Sequence, residues 1–182
     1  MLRTSADPVP AWVSQVAIRP VKQTDLPTLE WDGEYAHFRR LYADIYQSTR
    51  DGRALMWVAE LSRNEIIGQI FVQLKSNRTE LADGVQRAYI YGFRIKPDYR
   101  RNGLGTRMLW VVENELAHRK FNIVNLNVSR DNIEARRLYE QNGYELVGLD
   151  PGIWSYLDPE GVKREVHEPA WRMEKLLLMN DR

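Results

Sequence analysis

The segment that most limits the fold runs from Tyr91 to Trp110, YGFRIKPDYRRNGLGTRMLW. There an apolar strand-like run turns into an apolar helix-like one through two arginines, an asparagine and two glycines. Gly103 and Gly105 take side chains out of the bend, so the amides of Arg101 through Thr106 can point into one concavity at the positive end of the following helix. A phosphate fits such a concavity, and Arg100 or Arg101 can add a charge-assisted contact on the order of a few kcal/mol. The same spacing also occurs as a plain strand-to-helix connection with solvated arginines, and spacing alone does not separate the two. A Walker-type loop is excluded because no Lys-Ser or Lys-Thr follows the glycine. A dinucleotide fingerprint is excluded because Met108 fills its third glycine position.

Hydrophobic periodicity on either side of this bend reads as strands and helices in alternation. VAIRP is a first strand, ended by Pro20, and TDLPTLEW a helix capped by Thr24 or Asp25 with Pro27 in its first turn. From Gly33 to about Ser48, Phe38, Leu41, Tyr42 and Ile45 recur at helical spacing. RALMWVAEL, EIIGQIFVQLK and QRAYIYGFRIK follow as strands rich in β-branched and aromatic residues. After the bend, Leu104, Met108, Val111 and Val112 share a helical face as far as about His118. FNIVNLNVS is then a buried strand, and NIEARRLYEQN a helix stopped by Gly143. YELVGLD and HEPAWRMEKLLL are two more strands, joined by the connection DPGIWSYLDPEGVKREV with its Asp-Pro-Glu-Gly turn. The expectation is an α/β chain of about seven strands. Residues 1–15, holding Pro8 and Pro10, read as a flexible arm, and residues 16–182 as a single domain.

Charge and composition exclude several functions. With 26 Lys+Arg against 25 Asp+Glu the formal net charge is +1, so the electrostatic footprint of a dedicated nucleic-acid binder is missing. Arg130, Arg136 and Arg137 interleave with Glu134 and Glu140 and read as a solvated helix face. The chain has no cysteine, hence no thiolate nucleophile and no Cys-based zinc, and its three histidines are scattered. No metal is expected. Neither a signal-peptide core nor a run of roughly 18 apolar residues is present, so a cytoplasmic protein without membrane contact is the expectation.

Taken together, FRIKPDYRRNGLG resembles the acyl-CoA-binding motif of the GNAT N-acetyltransferase superfamily. In that motif an apolar strand end and a proline precede Arg/Gln-x-x-Gly-x-Gly/Ala, here Arg100, Gly103 and Gly105. NLNVSRDNIEARRLYEQNGYELVG is similar to the family's second block, with Asn132, Tyr139 and the Gly143-Tyr144 pair that opens the next strand; IRPVKQTDL is similar to its first strand and helix start. The resemblance implies a mixed sheet splayed between two parallel strands, helices on both faces, and acetyl-CoA in the opening. Carried over by position, the backbone of Phe93, Arg94 and Ile95 would hold the pantetheine arm. Arg100, Arg101, Asn102, Gly103, Leu104, Gly105 and Thr106 would hold the pyrophosphate, and Asn132 would contact the cofactor too. Tyr139 would sit near the thioester sulfur and assist thiolate departure as the catalytic residue. Full proton transfer from a phenol near pKa 10 to a thiolate near 8.5 is uphill by about 2 kcal/mol, which leaves hydrogen-bond stabilisation as the alternative.

Two departures stand out. Where many members of the family carry a carboxylate base, this chain has Tyr89 and Asn127. The acceptor would then lose its proton through water, a backbone carbonyl, or a carboxylate from elsewhere such as Glu34 or Glu60. That costs about 4 to 5 kcal/mol for a lysine-like amine at pH 7 but about 1 kcal/mol for an α-amine, which favours the latter. Trp31, Glu34 and Tyr35, with Trp154, Tyr156 and Asp158 further on, combine rings and carboxylates suited to an amine, so the first three are the expected substrate contacts, against a plain core and surface reading. The implied activity is acetyl transfer from acetyl-CoA to a primary amine, a small molecule or a protein N-terminus, by direct attack in a ternary complex. Transfer of another acyl group and a non-catalytic acyl-CoA-binding module are the alternatives, and a homodimer is left open.

Overall fold

The computed structural model describes residues 8–178. Nine strands and three α-helices follow one another in chain order among them: β1 (Ala17–Pro20), α1 (Arg39–Arg50), β2 (Ala54–Ser62), β3 (Glu65–Gln73), β4 (Arg87–Ile95), α2 (Leu104–His118), β5 (Ile123–Ser129), α3 (Ile133–Gln141), β6 (Glu145–Asp150), β7 (Ile153–Leu157), β8 (Lys163–His167) and β9 (Ala170–Leu176). Seven strands make one mixed sheet in the order β1-β2-β3-β4-β5-β9-β6, in which β4 and β5 run parallel and the other neighbours antiparallel. β7 and β8 form a separate hairpin. Among the described residues, no helix is long and apolar enough to cross a membrane.

The sheet is covered on both faces, as the resemblance implied. On one face α2 and α3 bury Leu104, Met108, Leu109, Val112, Leu116 and Tyr139 against Ile67, Ile70, Ile90, Val124 and Leu126. On the other, α1 lays Tyr42 and Ile45 over Met56, Val58, Ile66 and Phe71. Each fully buried aliphatic or aromatic side chain contributes roughly 1.5 to 3 kcal/mol.

Three expectations are corrected. The flexible arm is too long: its first seven residues lie outside the described ones, but Ala11–Gln15 form a 3-10 turn with Val13 buried. Trp12 meets Tyr99 edge-on at 5.1 Å, and Arg107 donates to the carbonyls of Val13 (2.6 Å) and Val16 (2.9 Å). The first helix is 3-10 throughout, Gln23–Glu30, because Pro27 supplies no amide, and it ends at a left-handed Trp31. The long connection before β9 is the β7–β8 hairpin. Its turn is held by Asp158, whose carboxylate accepts from the Val162 amide and Arg164 Nε, both at 2.8 Å.

The parallel pair creates the opening. β4 and β5 pair from Arg87↔Ile123 to Ile90↔Leu126 and then part. β4 also bulges at this point: its register with β3 shifts between Gln69↔Arg94 and Phe71↔Tyr91, so Gly92 and Phe93 both oppose Ile70. Gly92 has φ 58°, and a Cβ there would lie 2.6 Å from the Phe71 ring. No other residue fits.

Candidate active site

Where β4 and β5 part, a cleft of about 500 Å³ opens between the bulged end of β4, the loop before α2 and the first turns of α3. Phe93, Arg94 and Ile95 form its strand wall, and Arg100, Arg101, Gly103, Gly105 and Thr106 its loop wall. Asn132 and Tyr139 close it from α3. Two of the expected cofactor residues are not in the lining. Leu104 is 1% exposed and turned into the core, and Asn102 donates to the Arg100 carbonyl at 2.9 Å, bracing the loop.

The loop wall is built for an anion. Gly103 is the N-cap of α2 at φ 82°, and with no side chain it caps none of the helix's first amides. These amides carry the positive end of the helix dipole. Gly105 allows the close approach of α3, since a Cβ there would come within 3.0 Å of Leu138 Cδ2. The arginines differ in what they do. Arg100 Nε donates to the Ile95 carbonyl at 2.7 Å, while Arg101, itself left-handed, pairs with Glu134 at 2.6 Å between the loop and α3. The Arg94 side chain leaves the cleft altogether. Its guanidinium lies 3.7 Å from the centre of the Tyr35 ring and donates to the Tyr42 hydroxyl at 2.6 Å on the α1 face.

Asn132 Oδ1 accepts from the Ala135 amide at 3.1 Å, so it caps α3 as well as lining the cleft. Tyr139, 7% exposed, packs between Phe93 and Tyr144 with ring centroids at 6.4 and 5.8 Å. Burial pushes its hydroxyl well above the ordinary phenol value, and the nearby Tyr89 adds to this. On the opposite face of the sheet, Tyr89 is itself pushed up to about 12 by burial and by Asp150, and it stacks on Tyr91 at 5.9 Å.

The expected acceptor contacts are not brought into this cleft. Trp31 is 7% exposed and meets Tyr35 edge-on at 5.2 Å, and Glu34 is solvent-exposed. Trp154 and Tyr156 pack on Phe38 at 6.0 and 4.9 Å and join the hairpin to the start of α1. Glu60 is taken up at 2.7 Å by Arg19, which draws its carboxyl below the ordinary value, so it is no tuned base. Sequence reasoning missed Glu134, Ala135, Arg137, Leu138 and Gln141 as cleft residues. Glu134 and Arg137 belong to the helix face read as solvated; the only signal was that Glu134, Leu138 and Gln141 recur at i, i+4 and i+7 on one helical side. Arg130 and Arg136 instead approach the Trp171 ring at 5.3 and 5.4 Å.

A mixed sheet that parts between two parallel strands, above an uncapped helix N-terminus, is the arrangement of an acetyltransferase fold. Residues 22–144 match the model of the Acetyltransferase (GNAT) family, and the chain belongs to that family. The uncharacterized N-acetyltransferase YycN of Bacillus subtilis (strain 168) is 26% identical over 90 residues, a match spanning 50% of this chain and 54% of that protein. Among solved structures, the ribosomal-protein-S18-alanine N-acetyltransferase of Escherichia coli is similar with a TM-score of 0.65 and 22% identity, covering 92% of this chain and 97% of that one. The spermidine/spermine N-acetyltransferase SpeG of Vibrio cholerae has a TM-score of 0.66 and 18% identity, covering 92% and 95%. At such identities the likeness is one of fold.

Proposed function

We propose that this protein is a cytoplasmic N-acetyltransferase, residues 16–182 forming one domain, that passes the acetyl group of acetyl-CoA to a primary amine. One observation carries the reading: the bulged free edge of β4, the uncapped start of α2 and the buried Tyr139 hydroxyl converge on a single cleft. The α2 amides and the loop arginines suit the pyrophosphate, and the β4 backbone from Phe93 to Ile95 suits the amide-bearing pantetheine arm. In the ternary complex the amine nitrogen attacks the thioester carbonyl carbon, the carbon–sulfur bond breaks, and the electron pair leaves on sulfur. Tyr139 donates a hydrogen bond to that sulfur as charge develops, while the proton of the amine goes to solvent. A non-catalytic acyl-CoA-binding module is the second reading, favoured by the removal of Glu60 from the site.

A mixed-amine screen that follows free CoA release separates the two. Turnover that rises with amine concentration is the expected result; tight acetyl-CoA binding with no turnover across the panel would replace the enzyme by the binding module.

A further inference from the structure

A charged cluster stands next to Tyr139 yet outside the cleft. Glu113 of α2 and Lys175 of β9 pair at 2.6 Å, and the second Glu113 carboxylate oxygen accepts from the Tyr144 hydroxyl at 2.8 Å. Lys175 Nζ also lies 5.7 Å from the centre of the Tyr144 ring. Tyr144 is buried, and its ring meets that of Tyr139 at 5.8 Å with the planes 63° apart. The backbone ties the two tyrosines as well, since the Tyr144 amide donates to the Tyr139 carbonyl at 3.0 Å. Glu113, Tyr144 and Lys175 do not line the cleft themselves.

An ion pair largely withdrawn from water is a costly way to fill space, because apolar side chains of similar volume often hold a fold as well or better. A phenylalanine at 144 would pack on Tyr139 and need no carboxylate behind it. What the pair adds is direction. The Tyr144 ring is tethered at one end through its backbone to α3 and at the other through its hydroxyl to α2, so it is held in one orientation. Burial and the Glu113 carboxylate both keep that hydroxyl well above the ordinary phenol value, and it remains a donor. Tyr139 depends on such a neighbour. Among the described residues no group hydrogen-bonds the Tyr139 hydroxyl, so the packing of its ring sets where the hydroxyl points. Of its two ring neighbours, Phe93 sits on the bulged free end of β4, and Tyr144 is the one anchored in the core. We propose that Glu113 is a positioning residue for acetyl transfer: held by Lys175, its carboxylate fixes Tyr144, and the Tyr144 ring aims the Tyr139 hydroxyl at the thioester sulfur. The inference rests on the acetyltransferase reading above and adds to it the residues that direct its one catalytic side chain.

The test follows CoA release by the full chain with the mixed-amine panel. Tyr144→Phe removes one oxygen and leaves Glu113 with Lys175; the rate at saturating acetyl-CoA should fall about five- to twentyfold while the KM for acetyl-CoA stays within about twofold. Glu113→Gln keeps an oxygen for the Tyr144 hydroxyl and should lose less than about threefold. In the Tyr139→Phe background neither change should slow the reaction further, because a residue that acts through Tyr139 then has nothing to direct. A brace that only holds the fold would slow both backgrounds alike. A readout free of turnover uses the CoA-saturated chain with ring-labelled tyrosine, the Tyr139 signal being the one lost in Tyr139→Phe. Flips of the Tyr139 ring should be at least about tenfold faster in Glu113→Leu and in Tyr144→Phe, so if the first fails to fold the second decides. Equal rate losses in the two backgrounds, a raised KM for acetyl-CoA in place of a lowered rate, or unchanged ring flips overturn the proposal, with acetyl transfer by the parent still standing. No turnover by the parent on any amine defeats the acetyltransferase reading instead, and the ring flips then decide by themselves whether Glu113 fixes Tyr139.

Discussion

Gln69 on β3 reaches across to β4 and donates to the Gly92 carbonyl at 3.2 Å, at the residue where β4 bulges and parts from β5. Gln69 is fully buried, so this contact is isolated from water. It keeps the bulge carbonyl on the α1 side while Phe93 to Ile95 line the cleft. Gln69→Leu should therefore cost about 1 to 3 kcal/mol in denaturant unfolding, the desolvation cost of an orphaned carbonyl. Acetyl-CoA affinity by calorimetry should fall about tenfold. A folded Gln69→Leu protein with unchanged affinity would show that the bulge holds its own shape.

The two glycines of the loop should fail in different ways. Gly103 has open space around a Cβ but φ 82°, so Gly103→Ala strains the backbone by about 1 to 2 kcal/mol and affects stability before binding. Gly105 has an ordinary backbone but a Cβ would press Leu138 Cδ2 at 3.0 Å, so Gly105→Val forces α3 away and should weaken acetyl-CoA at least tenfold. Thermal melts paired with calorimetry separate strain from lost binding.

Among the described residues Glu134 is the one carboxylate in the cleft lining, and it holds Arg101 at 2.6 Å where a pyrophosphate would need that charge. Removing its charge should help the ligand. Glu134→Gln is expected to tighten CoA binding about three- to tenfold. Both partners are half-exposed or more, so stability should stay within about 1 kcal/mol of the parent. Weaker binding in this variant would mean that the pair is needed to shape the loop.

Local spacing made much of this legible. The Arg100-to-Gly105 bend and the Asn132–Tyr139–Gly143 block depend on residues a few positions apart, and the cleft placement of Arg100, Arg101, Gly103, Gly105, Asn132 and Tyr139 follows from the strand-turn-helix pattern. What stayed hidden depends on contacts between distant segments. The turn at Ala11–Gln15 is anchored by Arg107, 94 residues from Val13, so the prolines before it read as a loose arm. β8, KREVH, is polar and mostly exposed, which hides its pairing with β7 until the Asp158 turn is seen in place. Gln69 sits in an ordinary strand pattern, and nothing in its neighbours announces that it will meet Gly92, 23 residues later.

Asp150 joins three segments through Arg78, Arg172 and the Gly152 amide, and it is 1% exposed. Burial alone would raise its pKa, but these hydrogen bonds outweigh burial and hold the carboxyl well below 3.8. A depressed carboxylate contributes stability that is complete above its unfolded value and is lost as the pH falls below it toward the native value. Unfolding free energy should thus drop below about pH 4 in the parent, and this share of the acid slope should be missing from Asp150→Asn. At pH 7 that variant, with two arginines left facing a neutral amide, should be less stable by about 3 kcal/mol.

Tyr139 provides the test of the chemical step. Its buried hydroxyl titrates well above the ordinary phenol range, so it stays protonated throughout the working pH and can donate to a sulfur without ever losing its proton. Full transfer to the thiolate is more costly than the about 2 kcal/mol of an unshifted phenol, which leaves a hydrogen bond as its contribution. Tyr139→Phe keeps the ring that packs on Phe93 and Tyr144 and should lower kcat roughly ten- to a thousandfold, with acetyl-CoA affinity nearly intact. The pH profile of kcat/KM should keep the position of its limb, since that limb belongs to the free amine. A limb that moves in Tyr139→Phe would instead make the phenol a titrating group, and a loss of acetyl-CoA binding would reduce its part to packing.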